Sequence, residues 1–231
     1  MPLNTLILPR ILILIPFWKR PEISEICFSG LDRIRKYREN LEVLAIISED
    51  NYKARCDRHD IEYTFFENLP LGRKKNHGLR VSLEKDWDYL MELNSDDVIK
   101  NDLLDLYDNQ NADYMGVGNF CFINSQTKEC RQYSSNSMYG IGRRYSRKLI
   151  EQVGELWKDD ANARMDNYSD WKIWQTVKVD GKRIFSDEPL AADIKSDVNI
   201  WKWNPEAGQP YELEKFLEGL SKQEIECLES L

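Results

Sequence analysis

Four polar residues, Asn94, Ser95, Asp96 and Asp97, interrupt an apolar stretch in the segment YLMELNSDDVI (residues 89–99). An aspartate at the start of a helix can cap it by accepting a backbone N–H, which explains one carboxylate. Two adjacent carboxylates repel each other unless a cation lies nearby. Because Mg²⁺ and Mn²⁺ favour oxygen ligands and often hold phosphates through one or two carboxylates, the segment indicates a divalent-metal site. Helix capping is the alternative.

The segment LGRKKNHG (residues 71–78) places Arg73, Lys74 and Lys75 at the start of a predicted helix. Backbone N–H groups at a helix start already favour anions, so the cluster indicates a phosphate-binding site. A solvated basic helix end is the alternative. The chain as a whole is acidic, with a net charge of −8, so a local basic cluster favours the phosphate site. A diphosphate between a metal at Asp96 and this helix start would satisfy both groups of charges.

Short apolar runs alternate with helical patterns through the first half of the chain. The runs of strand length are ILILI, EVLAII, IEYTFF and DYLMEL, and helical patterns separate them. This β-α-β-α-β-α-β order predicts a parallel sheet with helices on both faces. Ligands bind at the carboxyl ends of the strands in such sheets. We therefore expect the segments that follow the strands to share one rim: PFWKR, SEDN, ENLPLGRKKN and NSDD.

The second half of the chain has a different pattern. The segments DYMGVGNFCFI and KECRQYS predict antiparallel strands, and YGIGRRYSRKLIEQVG predicts a glycine loop that leads into a helix. SDWKIWQTVKV predicts a further helix, KRIFS and LAADIKS predict strands, and the tail predicts one or two helices. No linker rich in Ser, Gly or Pro divides the halves. We therefore expect one domain over residues 1–231.

Composition and charge exclude several classes of protein. A net charge of −8 argues against general nucleic-acid binding, which needs a basic surface. The apolar segment TLILPRILILIPFW is too short and too interrupted for a membrane span, and no signal-peptide cleavage site follows it. The five cysteines include no CxxC pair, and the chain has two histidines, so a zinc site or a disulfide framework is not expected. A reducing, cytoplasmic location fits this usage.

The order IPFWKRP, SEDN, GRKKNHGL and DYLMELNSDDVI resembles that of GT-A-fold glycosyltransferases and is similar to glycosyltransferase family 2. The resemblance covers residues 11–97 well and continues more loosely through YGIGRRYSRKLIEQVG, MDNYSDW and DIKSDVNIW. It implies an α/β fold with a Rossmann-type, mostly parallel sheet flanked by helices and a smaller antiparallel portion on the acceptor side. About residues 8–110 would form the nucleotide-sugar-binding half, and about residues 111–231 the acceptor-side half with the C-terminal helices.

The resemblance also implies roles for individual residues. Asp96 matches the main ligand of a D-x-D-type site for Mn²⁺ or Mg²⁺, and Asn94 stands where that motif has its first acid. Asparagine can bind a cation through its carbonyl oxygen but adds no negative charge, so we expect a lower metal affinity. Asp170 and Asp166 are the candidates for the catalytic base. The expected substrate-binding residues are Phe17, Arg20, Glu49, Asp50, Arg73, Lys75, Asn76, Asp97 and Lys195.

The function that the resemblance implies is transfer of a sugar from a UDP- or GDP-sugar to a glycan or other hydroxyl acceptor, with inversion and with help from a divalent metal. One alternative is a nucleotidyltransferase that activates a sugar phosphate. Such enzymes usually have a glycine-rich signature after the first strand, and PFWKRPEI contains no glycine. Another alternative is a non-catalytic nucleotide- or sugar-binding protein on the same fold, which Asn94 in place of an acid would suit.

Overall fold

The computed structural model describes residues 8–134, 138–162, 165–196, 199 and 202–231. Strand β1 (Ile11–Pro16) is buried along its whole length. Its isoleucines face one apolar core and its leucines face another, on the opposite side of the sheet. A run of consecutive apolar residues suits such a strand, because both of its faces are covered.

The other strands that the structure describes are β2 (Leu41–Ile47), β3 (Glu62–Phe65), β4 (Tyr89–Glu92), β5 (Asp97–Ile99), β6 (Tyr114–Val117), β7 (Asn119–Asn124), β8 (Cys130–Ser134), β9 (Arg143–Ser146), β10 (Lys182–Ile184), β11 (Ala191–Lys195) and β12 (Gln209–Tyr211). Within the described residues, a seven-stranded sheet has the order β10-β6-β9-β4-β1-β2-β3. Strand β1 is parallel to β2 and β4, and β2 is parallel to β3, as expected.

The α-helices within the described residues are α1 (Pro21–Tyr37), α2 (Lys53–Arg58), α3 (Leu71–Ser82), α4 (Asn101–Asp108), α5 (Arg147–Val153), α6 (Met165–Val177), α7 (Leu213–Leu217) and α8 (Lys222–Glu229). Several of them cover the two faces of the larger sheet. Apolar residues of α1 and α4 pack on one face, and those of α3, α5 and α6 pack on the other. The expected α/β architecture, a mostly parallel sheet flanked by helices, is confirmed.

A second sheet has the order β12-β8-β7-β11-β5 in the described part of the chain. One of its faces packs against α1, α7 and α8 through an apolar core that includes Val98, Ala192 and Ile194. Side chains alternate along a strand, so the neighbours of these three residues face away from that core. Asp97 precedes Val98 on β5, and Asp193 lies between Ala192 and Ile194 on β11, so both face away from it.

Two predicted boundaries in the second half are wrong. DYMGVGNFCFI is not one strand, because it divides at Gly118 into β6 of the larger sheet and β7 of the second sheet. A side chain at position 118 would collide with the ring of Phe185, with 2.6 Å between the added Cβ and the nearest ring atom. The segment YGIGRRYS is not only a loop, because β9 forms within it and pairs antiparallel with β4 and β6.

Candidate active site

The chain changes sheets between β4 and β5, and this change builds the site. Strand β4 ends at Glu92 in the larger sheet, and β5 begins at Asp97 in the second sheet. Strand β5 is antiparallel to β11, with Asp97 directly opposite Asp193. One carboxylate oxygen from each of Asp96, Asp97 and Asp193 lies within 4.8 Å of the other two. We call these three residues the acidic triad.

The acidic triad is largely enclosed by protein. Asp97 is 2% exposed, and Oδ1 of Asp97 and Oδ1 of Asp193 are buried without a hydrogen-bond partner among the described residues. Burial, together with the neighbouring Asp96 and Asp193, raises the pKa of Asp97 well above its usual range. Burial also raises the pKa of Asp193 to about 6, although Lys195 opposes the change. Both carboxyls are therefore unfavourable as anions until more positive charge reaches them.

Two cations already contact the triad. Arg20 Nη1 donates to Asp96 Oδ2 at 2.7 Å, and Nη2 donates to Ser95 Oγ at 3.2 Å. Lys195 Nζ forms an ion pair with Asp193 Oδ2. Asn199 Nδ2 also donates to Asp96 Oδ2, at 2.7 Å. These contacts hold the two positive charges at the edge of the carboxylate cluster.

The third carboxylate, Asp97, is held by Asn94. The backbone N–H of Asn94 donates to Asp97 Oδ2 at 2.7 Å, and its side-chain Nδ2 donates to the same oxygen at 2.9 Å. On its other side, Asn94 Oδ1 accepts from Lys75 Nζ at 3.3 Å. Lys75 is itself paired with the buried Glu92.

The donor set fits a hard divalent cation. It offers three carboxylates, and buried oxygens of Asp97 and Asp193 have no other partner among the described residues. Oxygen donors of this kind suit Mg²⁺ and Mn²⁺ and do not distinguish between them. A metal would bring further positive charge to Asp97 and Asp193, whose pKa values are raised chiefly by burial.

Many solved structures resemble this one, and three of them illustrate the range. The mannosyltransferase PcManGT from Pyrobaculum calidifontis, in complex with GDP-Man and Mn²⁺, is 17% identical with a TM-score of 0.56, over 82% of this chain and 57% of that chain. S. aureus TarS 1–349 in complex with UDP-GlcNAc is 12% identical with a TM-score of 0.58, over 82% of this chain and 60% of that chain. The inositol-1-phosphate CTP transferase from T. maritima is 12% identical with a TM-score of 0.51, over 92% of this chain and 98% of that chain.

The chain has a GT-A-like fold. It spans less than two thirds of the length of the PcManGT and TarS chains. At these identities the likeness establishes the GT-A-like fold and no more. No family model and no curated protein sequence matches the chain. Across the described residues of this GT-A-like chain, no helix has the length and apolar character needed to cross a membrane.

The residues expected at the nucleoside lie after β1 and β2 of the GT-A-like sheet. Phe17 is fully buried and stacks on Phe28, with 4.4 Å between the ring centroids. Glu49 accepts a hydrogen bond from the backbone N–H of Lys19 at 3.1 Å, which joins the two loops. Asp50 is exposed beside the same loop. The two acids therefore lie nearer to open solvent than Phe17 does.

The basic segment at the start of α3 is divided between surface and interior. Arg73 is exposed, with Glu67 Oε1 4.0 Å from its guanidinium. Lys74 is buried and donates to the carbonyl oxygen of Phe17 at 2.6 Å, and burial lowers the pKa of Lys74 to about 7. Lys75 is buried against Glu92, as described above. A solvated basic helix end therefore describes Arg73 but not the two lysines.

The side chain of Asn76 bonds to residues outside the triad. Its Nδ2 donates to the carbonyl oxygen of Trp157 at 2.7 Å and to Asp159 Oδ1 at 2.9 Å, and its Oδ1 accepts from the Trp157 N–H at 3.2 Å. These bonds tie α3 to the segment after α5.

The two candidate bases lie on α6. Asp170 Oδ1 accepts a hydrogen bond from the Tyr114 hydroxyl and lies 3.1 Å from Nη1 of the fully buried Arg143. The side chain of Asp166 lies outside the described part of the structure. Asp170 therefore balances the buried charge of Arg143. Its side chain is one third exposed, so it also reaches the surface.

Sequence reasoning missed Asp193 and Asn199. Asp193 lies two residues before Lys195 in LAADIKS, and its place in the triad depends on the antiparallel pairing of β11 with β5. No local pattern predicts that pairing. Alternation was the available signal, because an aspartate between Ala192 and Ile194 in a strand lies on the face opposite to theirs.

Proposed function

We propose that this protein is a nucleotide-sugar-dependent glycosyltransferase of the hexosyltransferase type. It would transfer a sugar from a UDP- or GDP-sugar to a hydroxyl of a glycan or other acceptor. The observation that carries the proposal is the acidic triad of Asp96, Asp97 and Asp193 on a GT-A-like fold, with two buried carboxylate oxygens that have no partner among the described residues. The neighbours support it, since PcManGT was determined with GDP-Man and Mn²⁺ and TarS with UDP-GlcNAc.

The acidic triad would hold Mn²⁺ or Mg²⁺. A bound metal of this kind supplies positive charge to a diphosphate leaving group. Asp97 and Asp193 would bind the metal through their Oδ1 atoms. Asp96, in the turn between β4 and β5, would provide the third carboxylate. Three carboxylates give the site enough negative charge without an acid at position 94.

Arg20 and Lys195 would bind the phosphate oxygens of the donor. Both already lie against the triad, and both side chains are mostly buried, which strengthens their attraction for an anion. Charge-assisted hydrogen bonds from these two residues would stabilise the diphosphate as it departs. Arg73, exposed at the start of α3, would extend this positive surface, and Glu49 or Asp50 would contact the nucleoside.

A carboxylate of α6 would take the proton from the acceptor hydroxyl. Asp170 and Asp166 are one turn apart on the helix, and both belong to the acceptor-side half of the chain. Direct attack of that hydroxyl on the sugar would invert its configuration. The exposed indole of Trp171, next to Asp170, offers a flat apolar face for a sugar ring.

A second candidate function is nucleotidyl transfer to a sugar phosphate. The observation in its favour is the extent of the structural match, because the match to the inositol-1-phosphate CTP transferase covers 92% of this chain and 98% of the transferase chain. The absence of glycine from PFWKRPEI, directly after β1, weighs against it.

Product analysis separates the candidates. The protein is incubated with UDP-, GDP- and CDP-sugars and Mn²⁺, and separately with nucleoside triphosphates and sugar phosphates. A glycosyltransferase releases nucleoside diphosphate, and Asp96→Asn should abolish the release whereas Asp102→Asn, an exposed residue of α4, should not. Release of pyrophosphate alone would favour nucleotidyl transfer. Nucleotide binding without either product would favour the non-catalytic alternative.

A further inference from the structure

The side chain of Asn94 lies between a cation and a carboxylate, and this position decides which way its amide points. Lys75 Nζ is 3.3 Å from Asn94 Oδ1, and Asp97 Oδ2 is 2.9 Å from Asn94 Nδ2. An ammonium group can only donate hydrogen bonds, so the atom of Asn94 that faces Lys75 must be the oxygen. The NH₂ group therefore faces Asp97.

Asp97 Oδ2 acts as an acceptor for a second reason. The backbone N–H of Asn94 donates to the same oxygen at 2.7 Å. Asn94 thus gives two hydrogen bonds to one oxygen of Asp97 and fixes the plane of the carboxylate. The other oxygen, Oδ1, is left buried and without a partner in the described part of the chain.

The orientation of Asn94 is set by residues deeper in the protein. Lys75 pairs with Glu92, which is 1% exposed and also accepts a hydrogen bond from the Tyr145 hydroxyl at 3.2 Å. The order of contacts is therefore Glu92, Lys75, Asn94 and Asp97. Because this row of contacts fixes the side chain of Asn94, and Asn94 in turn holds Asp97 Oδ2, Asp97 is oriented before any ligand arrives.

We propose that Asn94 is a positioning residue and not a metal ligand, and that its amide holds Asp97 with Oδ1 directed to the metal. The inference rests on the metal site of the proposed function. An acid at position 94 could not do this, because its carboxylate has no N–H to donate and would repel Asp97 at this distance. The departure from D-x-D therefore belongs to a site whose third carboxylate comes from Asp193.

Calorimetric titration of Mn²⁺ without nucleotide tests the role of Asn94. The variant is Asn94→Asp, which restores D-x-D and leaves all three carboxylates of the triad in place. A positioning role predicts that this variant binds Mn²⁺ at least tenfold more weakly than the wild type. A ligand role predicts equal or tighter binding, since aspartate is the stronger ligand. Thermal unfolding in EDTA checks that the variant is folded.

The outcomes are distinguishable. If the wild type binds Mn²⁺ and Asn94→Asp binds it as tightly or more tightly, the role of Asn94 is wrong and the metal site stands. If the wild type does not bind Mn²⁺, the proposed metal site fails, and the role of Asn94 fails with it.

Anomalous diffraction from wild-type crystals soaked in Mn²⁺ tests the same proposal without a variant. We expect Asn94 Oδ1 on Lys75 and outside coordination distance of the metal, and an Asn94 oxygen bound to the metal would overturn the proposal.

Discussion

Asp97 and Asp193 lie opposite each other across the antiparallel strands β5 and β11, and each keeps one buried carboxylate oxygen without a partner among the described residues. The backbone pairing of the two strands holds the acids together whether or not a cation is present. Two facing carboxylates are unfavourable unless positive charge lies between them. The short distance between the two carboxylates, which the strand pairing imposes, therefore favours the binding of a cation.

Replacing Asp193 by asparagine should remove stabilisation by metal. Ligand present at about 100 times its Kd stabilises a folded protein by about 2.7 kcal/mol, and the variant should lose most of that gain because one anionic ligand is gone. Thermal unfolding with and without Mn²⁺ measures the difference. Asp187→Asn, which changes an exposed aspartate shortly before β11, is the control and should respond to Mn²⁺ as the wild type does.

Replacing Arg20 by glutamine should affect metal and nucleotide in opposite directions. Arg20 competes with a cation for Asp96, and a hydrogen bond to a charged group contributes about 1.5–3 kcal/mol, so Mn²⁺ alone should bind at least about tenfold more tightly. Nucleoside diphosphate should bind more weakly, because one phosphate contact is lost. Calorimetry of both ligands measures these changes. Arg10→Gln, at the opposite end of β1, should change neither; tighter binding of both ligands to Arg20→Gln would exclude a phosphate-binding role.

Asp170→Asn separates catalysis from charge balance. Loss of a general base lowers turnover by about 10²–10⁴-fold. The variant should also lose about 1–3 kcal/mol of stability, because the buried Arg143 loses its partner charge. Tyr114→Phe removes one hydrogen bond to Asp170 and keeps the carboxylate, so it should stay within tenfold of wild-type turnover. Wild-type turnover in Asp170→Asn would mean that Asp170 only balances Arg143 and that Asp166 is the remaining candidate.

Lys74 should make stability rise with pH. Its pKa is lowered to about 7 in the folded protein, whereas the pKa of an unfolded lysine is about 10.4, so between these values the unfolded chain binds more protons. The penalty is therefore complete below pH 7 and fades as pH rises, by up to about 1.4 kcal/mol per pH unit. Denaturant unfolding of the wild type and Lys74→Met at pH 7, 8 and 9 measures it. Parallel pH curves for the two proteins would contradict the prediction.

The first half of the fold could be predicted because its signals are local. Strand β1 is a continuous apolar run, and α1 begins at Pro21, which is favoured in the first turn of a helix. Strand β9 could not be predicted in the same way. It places Arg143 and Arg144 in the interior, and burial of these charges depends on Asp170 and Asp108, which are distant in sequence.

The candidate site shows the same division. The pair of acids where β5 begins is visible in the sequence as an interruption of apolar residues. The third member of the triad, Asp193, lies on β11, which is distant from β5 in the sequence. Its place beside Asp97 depends on the pairing of these two strands in the second sheet, which no local pattern predicts. Lys75 was expected at the phosphates because of its place at a helix start, but its ion pair with Glu92 depends on how α3 packs against β4.

Calorimetric titration of the wild-type protein with GDP and with UDP, in Mn²⁺ and again in EDTA, tests the proposed donor site most directly. We expect one of the two nucleotides to bind with Mn²⁺ present and to lose at least tenfold in affinity when the metal is removed, since the acidic triad then repels the phosphates. The same affinity in Mn²⁺ and in EDTA, or no binding of either nucleotide, would contradict a metal-assisted diphosphate site at Asp96, Asp97 and Asp193.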